Sequence, residues 1–155
     1  MVIKTKLRGI LVLPLVLSIF FFSLASYGQE TSRQVISLRP GPVTSPFSPA
    51  LLVGNTLYIS GQLAVNPETG EFIGGTMAEQ AERIIKNIEL LLKKAGMDLS
   101  HVVQTSVFIT DFDEFGEFNQ VYQKLFPKPA PTRATVQVVR LARGAKIEIS
   151  AVAVK

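Results

Sequence analysis

A chain of 155 residues, 47% hydrophobic, has the length and apolar content for one domain with its own core. It holds no Cys and a single His, which excludes disulfides, thiolate nucleophiles, Cys-type zinc or iron–sulfur sites and a His-rich metal site. The formal charge of +4 shrinks to +1, 13 basic against 12 acidic residues, once Lys4, Lys6 and Arg8 are set aside, so nucleic-acid binding has little electrostatic support.

Those three cations belong to a separate segment. Met1 to Arg8 is basic, Gly9 to Leu24 is apolar apart from Ser18 and Ser23, and small residues follow at Ala25, Ser26 and Gly28. Basic, then apolar, then small is the layout of a secretory signal peptide. Residues 1–28 are therefore expected to be a leader cut after Ala25 or Gly28, with one domain over 29–155 that is periplasmic or secreted. The apolar run is about as long as a short membrane span, so an uncleaved anchor is the alternative and the only expected link to a membrane. Pro14 in its middle and the small residues behind it favour cleavage. No Cys lies near the cut, which excludes a lipoprotein anchor.

Beyond Gln29 a short run, Val35-Ile36-Ser37-Leu38, reads as a first strand. Pro40, Pro42, Pro46 and Pro49 make residues 39–50 an irregular loop. Leu51-Leu52-Val53 and Thr56-Leu57-Tyr58-Ile59-Ser60 flank Gly54-Asn55 and read as a two-residue hairpin. Gly61-Gln62 closes the second of these strands, and Asn66-Pro67-Glu68-Thr69-Gly70 is a turn. Thr76 to Ala95 is the clearest helix. Thr76 and Glu79 fit a capping box, Gly96 fits a C-terminal stop, and Met77, Ala81, Ile84, Ile85, Ile88, Leu91, Leu92 and Ala95 form one apolar stripe. Val102 to Thr110 alternates as a strand, with Val103, Thr105, Val107 and Ile109 on one face. Asp113 to Phe126 is a second helix, with Phe115, Phe118, Tyr122 and Leu125 on one side. After a proline-rich link comes the β-branched strand Thr135-Val136-Gln137-Val138-Val139, with Arg133 at its mouth. Gly144 turns the chain into a last strand, Lys146 to Val154.

The order β-β-β-α-β-α-β-β favours an α+β fold with both helices on one face of a mixed sheet. The strands supply apolar residues to both faces, and two helices cannot cover both. That argues for an oligomer in which sheets pack between subunits.

Three polar residues stand where the pattern expects apolar ones. Asn119 lies four residues after Phe115 and three before Tyr122, so it falls in the apolar stripe of its helix. Glu148 sits at the polar-to-apolar boundary of the second face of the last strand, opposite Ile147, Ile149, Ala151 and Ala153. Arg133 carries a guanidinium fork that can bind a carboxylate through two parallel hydrogen bonds, which Lys cannot copy. Spacing alone leaves plain readings open: a buried amide that fixes a loop, an edge charge facing water, and a rim arginine packed on proline. Together the three make a candidate site for a small carboxylate, with one group to hold it, one to move a proton and one to orient.

From about Val43 to Val154 the chain resembles the RidA (YjgF-type) family of reactive enamine/imine deaminases. The residues that carry the resemblance are Gly54-Asn55 with Tyr58-Ile59-Ser60-Gly61-Gln62, Asn66-Pro67-Glu68-Thr69-Gly70-Glu71, Ala95-Gly96, Thr105 to Asp111, Phe118-Asn119-Gln120-Val121-Tyr122, Pro131 to Val136, and Lys146-Ile147-Glu148-Ile149 before the Ala-Val-Ala-Val ending. The resemblance implies a chorismate-mutase-like α+β fold and a homotrimer with three clefts between subunits. It implies hydrolysis of 2-aminoacrylate and related enamines and imines to 2-keto acids and ammonia, with no metal or organic cofactor. Arg133 matches the family's carboxylate-binding arginine and Glu148 the acid that positions or activates water. Asn119, Thr135 and the Ser60-Gly61 corner match pocket residues. Phe47 stands where many active members carry a tyrosine, and Ser150 where many carry a second acid. Two rival readings remain: a small-carboxylate-binding module without turnover on the same trimer, and a chaperone-like interaction role. Nuclease activity, also claimed for relatives, is disfavoured by the near-neutral charge of 29–155.

Overall fold

The computed structural model describes residues 32–155. The expected leader and both candidate cuts lie outside the described residues. In chain order come β1 (Arg33–Ile36), β2 (Ala50–Val53), β3 (Thr56–Gln62), α1 (Met77–Lys94), β4 (Val102–Ile109), α2 (Phe115–Leu125), β5 (Thr132–Gln137) and β6 (Ile147–Val154). The six strands form one sheet in the order β1-β2-β3-β6-β4-β5. β4 and β5 run parallel, and every other neighbouring pair is antiparallel. This is the expected α+β arrangement with a mixed sheet.

α1 begins where its capping box places it. Thr76 Oγ1 accepts from the Glu79 amide at 3.2 Å, and Glu79 Oε2 accepts from the Thr76 amide at 2.8 Å. Gly96, at φ +68°, takes the left-handed turn that ends the helix. The apolar stripe is fully buried from Met77 to Leu92, and each buried Ile or Leu there is worth about 1.5–3 kcal/mol. Gln80 and Asn87 are buried with it. Gln80 takes up the Gly75 carbonyl and the Lys146 amide, while Asn87 donates to the Val65 carbonyl.

α1 packs on β3, β6 and α2, so both helices lie on one sheet face. β6 alternates as its sequence requires: Ile147, Ile149, Ala151 and Ala153 are buried under the helices, and Glu148, Ser150, Val152 and Val154 face the other way. On that other face Tyr58 and Val136 are about half exposed, at 51% and 47%, and among the described residues no element covers them.

The main departures from the expected elements are at the ends of β1 and β5 and in the alternation of β4. β1 ends at Ile36 because its partner β2 is used up there, at the pair Ile36↔Ala50. β5 covers 132–137 rather than 135–139, since pairing with β4 starts at Gln104↔Thr132 and stops at Ile109↔Gln137. Val138 keeps one amide bond to the Ile109 carbonyl, and Val139 is entirely exposed. Arg133 therefore stands inside a strand, not before it. In β4 an irregularity between Val102 and Gln104 buries Val102 and leaves Val103 46% exposed, the reverse of simple alternation.

Candidate active site

β4 and β5 run side by side with Thr105 opposite Arg133, so both side chains point to the helix face. α2 meets them there with its aromatic side. The Arg133 guanidinium carbon lies 4.6 Å from the Tyr122 ring centroid, 5.2 Å from Phe118 and 5.6 Å from Phe115. Arg133 Nη2 donates to Asn119 Oδ1 at 2.9 Å. Asn119 is thus half-buried on the flank of its helix, facing the arginine rather than lying within the apolar stripe. No carboxylate pairs with Arg133 among the described residues. Two residues along β5 on the same face, Thr135 holds a buried Oγ1 with no hydrogen-bond partner. An orphaned buried hydroxyl costs about 1–3 kcal/mol, so a polar partner arriving there gains what the single chain leaves unmade.

Glu148 lies on the opposite face. Its neighbour across β4 is Phe108, which in turn pairs with Val136. Burial disfavours the charged form and pushes the Glu148 carboxyl above its ordinary value. No cation of the described residues pairs with it. The carboxyl fits because position 61 has no side chain: a Cβ there would fall 1.9 Å from Glu148 Oε1. The ladder between β3 and β6 shifts register between Ile59 and Gln62, so Ser60 and Gly61 form a bulge beside the acid. Ser60 is tied outward, its Oγ donating to the Ser48 carbonyl at 2.6 Å and its amide to the Pro49 carbonyl at 3.1 Å. The same short loop presents Phe47, 61% exposed.

The candidates therefore fall into two groups. Arg133, Asn119 and Thr135 share the helix face; Glu148, Gly61, Ser60 and Phe47 gather around the β3–β6 bulge. Within one chain the sheet stands between the cation and the acid. A groove of about 500 Å³ along the wet side of α1, lined by Ile73, Gly75, Glu79, Glu82, Arg83 and Lys86, holds none of them. Sequence reading passed over one pair beside the arginine: Thr105 and Tyr122, joined hydroxyl to hydroxyl at 2.8 Å. The signal was present, because Thr105 is the polar member of an alternation otherwise made of Val107 and Ile109.

A family model described as Endoribonuclease L-PSP matches residues 38–155. The human 2-iminobutanoate/2-iminopropanoate deaminase is 41% identical over 124 residues, covering 79% of this chain and 90% of that protein. Reactive Intermediate Deaminase A, chloroplastic, of Arabidopsis thaliana is 37% identical over 134 residues, covering 86% and 72%. The crystal structure of RidA from the Antarctic bacterium Psychrobacter superposes with a TM-score of 0.72 at 37% identity, covering 79% of this chain and 99% of that one. E. coli TdcF with bound serine gives 0.70 at 33% identity, covering 79% and 98%.

Proposed function

Because this chain belongs to the family described as Endoribonuclease L-PSP, the RidA family, we propose that two copies join the Arg133 half and the Glu148 half into one imine-hydrolysing site. The activity is that of a 2-imino acid deaminase: reactive enamines and imines of the 2-aminoacrylate and 2-iminopropionate class are hydrolysed to 2-keto acids and ammonia.

The observation that carries the reading is the pair of unneutralised groups on opposite sheet faces. Arg133 is half-buried among aromatic rings with donors to spare, and Glu148 is an acid whose charged form is disfavoured. A 2-imino acid suits the two together. Its carboxylate takes the fork of Arg133, steadied by Asn119. Thr135 Oγ1 supplies a further hydrogen bond. Glu148 accepts a proton from water as the water oxygen bonds to the imine carbon and passes it to the nitrogen, giving a carbinolamine; it then takes the hydroxyl proton and delivers it to the nitrogen as the C–N bond breaks, so that the 2-keto acid and ammonia leave. An enamine first takes a proton on carbon and gives one up from nitrogen to become the imine. These species already hydrolyse in water, so holding the reactants in place and one proton shuttle supply a sufficient rate gain.

The second copy is supported by the uncovered sheet face, where among the described residues Leu51, Tyr58, Phe108, Val136 and Val152 have no partner element. Three copies packed through this face form a homotrimer with its sites between subunits. Residues 1–28 act as an export leader, so the working form is the 29–155 domain outside the cytoplasm. The family description names an endoribonuclease, but 29–155 carries only +1, which gives a polyanion little to hold. A second reading has one observation behind it: the relative with bound serine is a small-carboxylate complex, and the same Arg133 clamp serves a binder without turnover.

Ammonia release from 2-iminopropanoate, generated in situ by an amino-acid oxidase, separates the two. The purified protein should accelerate it. Arg133→Ala should lower kcat/KM by about 30-fold to several-thousand-fold, the range for stripping one partner from a buried charge contact. Arg133→Lys should recover little of it. Turnover at the uncatalysed rate, with a 2-keto acid still bound, would leave the binder reading in its place.

A further inference from the structure

We propose that Tyr122, braced by Thr105, is a positioning residue for the carboxylate clamp: it sets the plane of the Arg133 guanidinium before substrate arrives. This rests on the reading of Arg133 as the group that holds the substrate carboxylate. A fork binds two oxygens well only when its plane is fixed, because both hydrogen bonds must align together. An arginine on a strand has several free torsions, and its own backbone does not fix that plane. Something beside it must.

Two contacts from α2 do this. Asn119 Oδ1 takes Nη2 at 2.9 Å and pins the group at one corner. Tyr122, three residues on and on the same side of the helix, places its ring centroid 4.6 Å from the guanidinium carbon, the nearest of three aromatic rings. The tilt of that ring is itself held, because its hydroxyl is bonded to Thr105 Oγ1 at 2.8 Å. Thr105 is the register partner of Arg133 on the neighbouring strand, so ring, brace and cation form a closed local circuit.

A purely structural role does not explain the brace. Thr105 is 0% exposed and Tyr122 4%. A Val and a Phe would fill the same space without bringing two hydroxyls out of water, and a neutral buried hydrogen bond has little net stability to offer in return. What the hydroxyl pair adds over Val and Phe is direction. Burial also pushes the Tyr122 phenol up, so the hydroxyl stays neutral while it does this.

The test uses the full chain, with 2-oxobutanoate as a stable carboxylate probe and 2-iminopropanoate as substrate. Tyr122→Phe keeps the ring and removes one oxygen; Thr105→Val removes the brace; Thr105→Ser restores it. Tyr122→Phe and Thr105→Val should each raise Kd for 2-oxobutanoate and KM for the imine by about threefold to tenfold, with kcat nearly held. The double variant should lose no more than either single one, and Thr105→Ser should bind like the parent. In an Arg133→Ala background, Tyr122→Phe should change nothing further, whereas a residue that merely supports the fold would still show its loss. Should Thr105→Val fail to fold, Tyr122→Phe carries the test alone. If Arg133→Ala weakens 2-oxobutanoate binding but Tyr122→Phe leaves Kd and KM at the parent values, the positioning role is wrong and the clamp stands. If Arg133→Ala binds the probe as tightly as the parent, the clamp itself falls and the positioning role with it.

Discussion

Glu148 shows how one residue's surroundings set its chemistry. Its charged form is disfavoured by burial, so protons hold on to higher pH than on a free glutamate, whose value is about 4.3. Water activation needs the ionised form. Activity should therefore fall on the acid side through an apparent value above the ordinary carboxylate range, and kcat/KM followed against pH reads that limb directly. Glu148→Gln should remove the limb together with turnover, while 2-oxobutanoate still binds. A limb that persists in the glutamine variant would move the proton-handling role to another group. Gly61 belongs to the same local argument. The carboxyl occupies the space a methyl would need, 1.9 Å from where the Cβ would sit. Gly61→Ala should keep the fold, since the position lies in a bulge, but push the acid aside and cut kcat much more than KM. Parent-like kcat in a folded Gly61→Ala protein would show that the place of the acid does not matter.

Among the elements, those governed by local chemistry were legible and those governed by distant partners were not. The limits of α1 follow from Thr76, Glu79 and Gly96, all within a turn of the ends they define. Thr76→Ala should cost about 1 kcal/mol in urea unfolding without a change in m-value or in activity of the folded protein. A loss near zero would mean that packing of the helix stripe alone sets its start. The alternation of β6 was equally readable, and with it the direction of Glu148. β5 was not, because its ends depend on where β4 begins and stops, 28 residues earlier in the chain at the pairs Gln104↔Thr132 and Ile109↔Gln137. Val138 and Val139 have strong strand preference and no strand to pair with, so pairing prevails over propensity. For the same reason Arg133 could be picked out as a chemical oddity, but its aromatic surroundings and its pairing with Asn119 needed the register to be known. Thr105 and Tyr122 meet only where α2 packs on the sheet.

At the scale of the whole molecule, the proposed site is one that two copies complete together. One sheet face is sealed by two helices, and the other carries exposed Tyr58 and Val136 beside the half-site of Glu148. In the proposed homotrimer a closed ring of three copies would cover that face and let the Arg133 half of one meet the Glu148 half of the next. The most direct measurement is a mixing experiment. Arg133→Ala and Glu148→Gln chains, each strongly impaired alone, are unfolded, combined in equal amounts and refolded together, and ammonia release from 2-iminopropanoate is followed. In randomly mixed trimers each mixed ring holds one interface with both halves intact, so about a quarter of parent activity should return. Activity no higher than the sum of the two separate variants, in a mixture shown to contain mixed trimers, would contradict a site shared between copies.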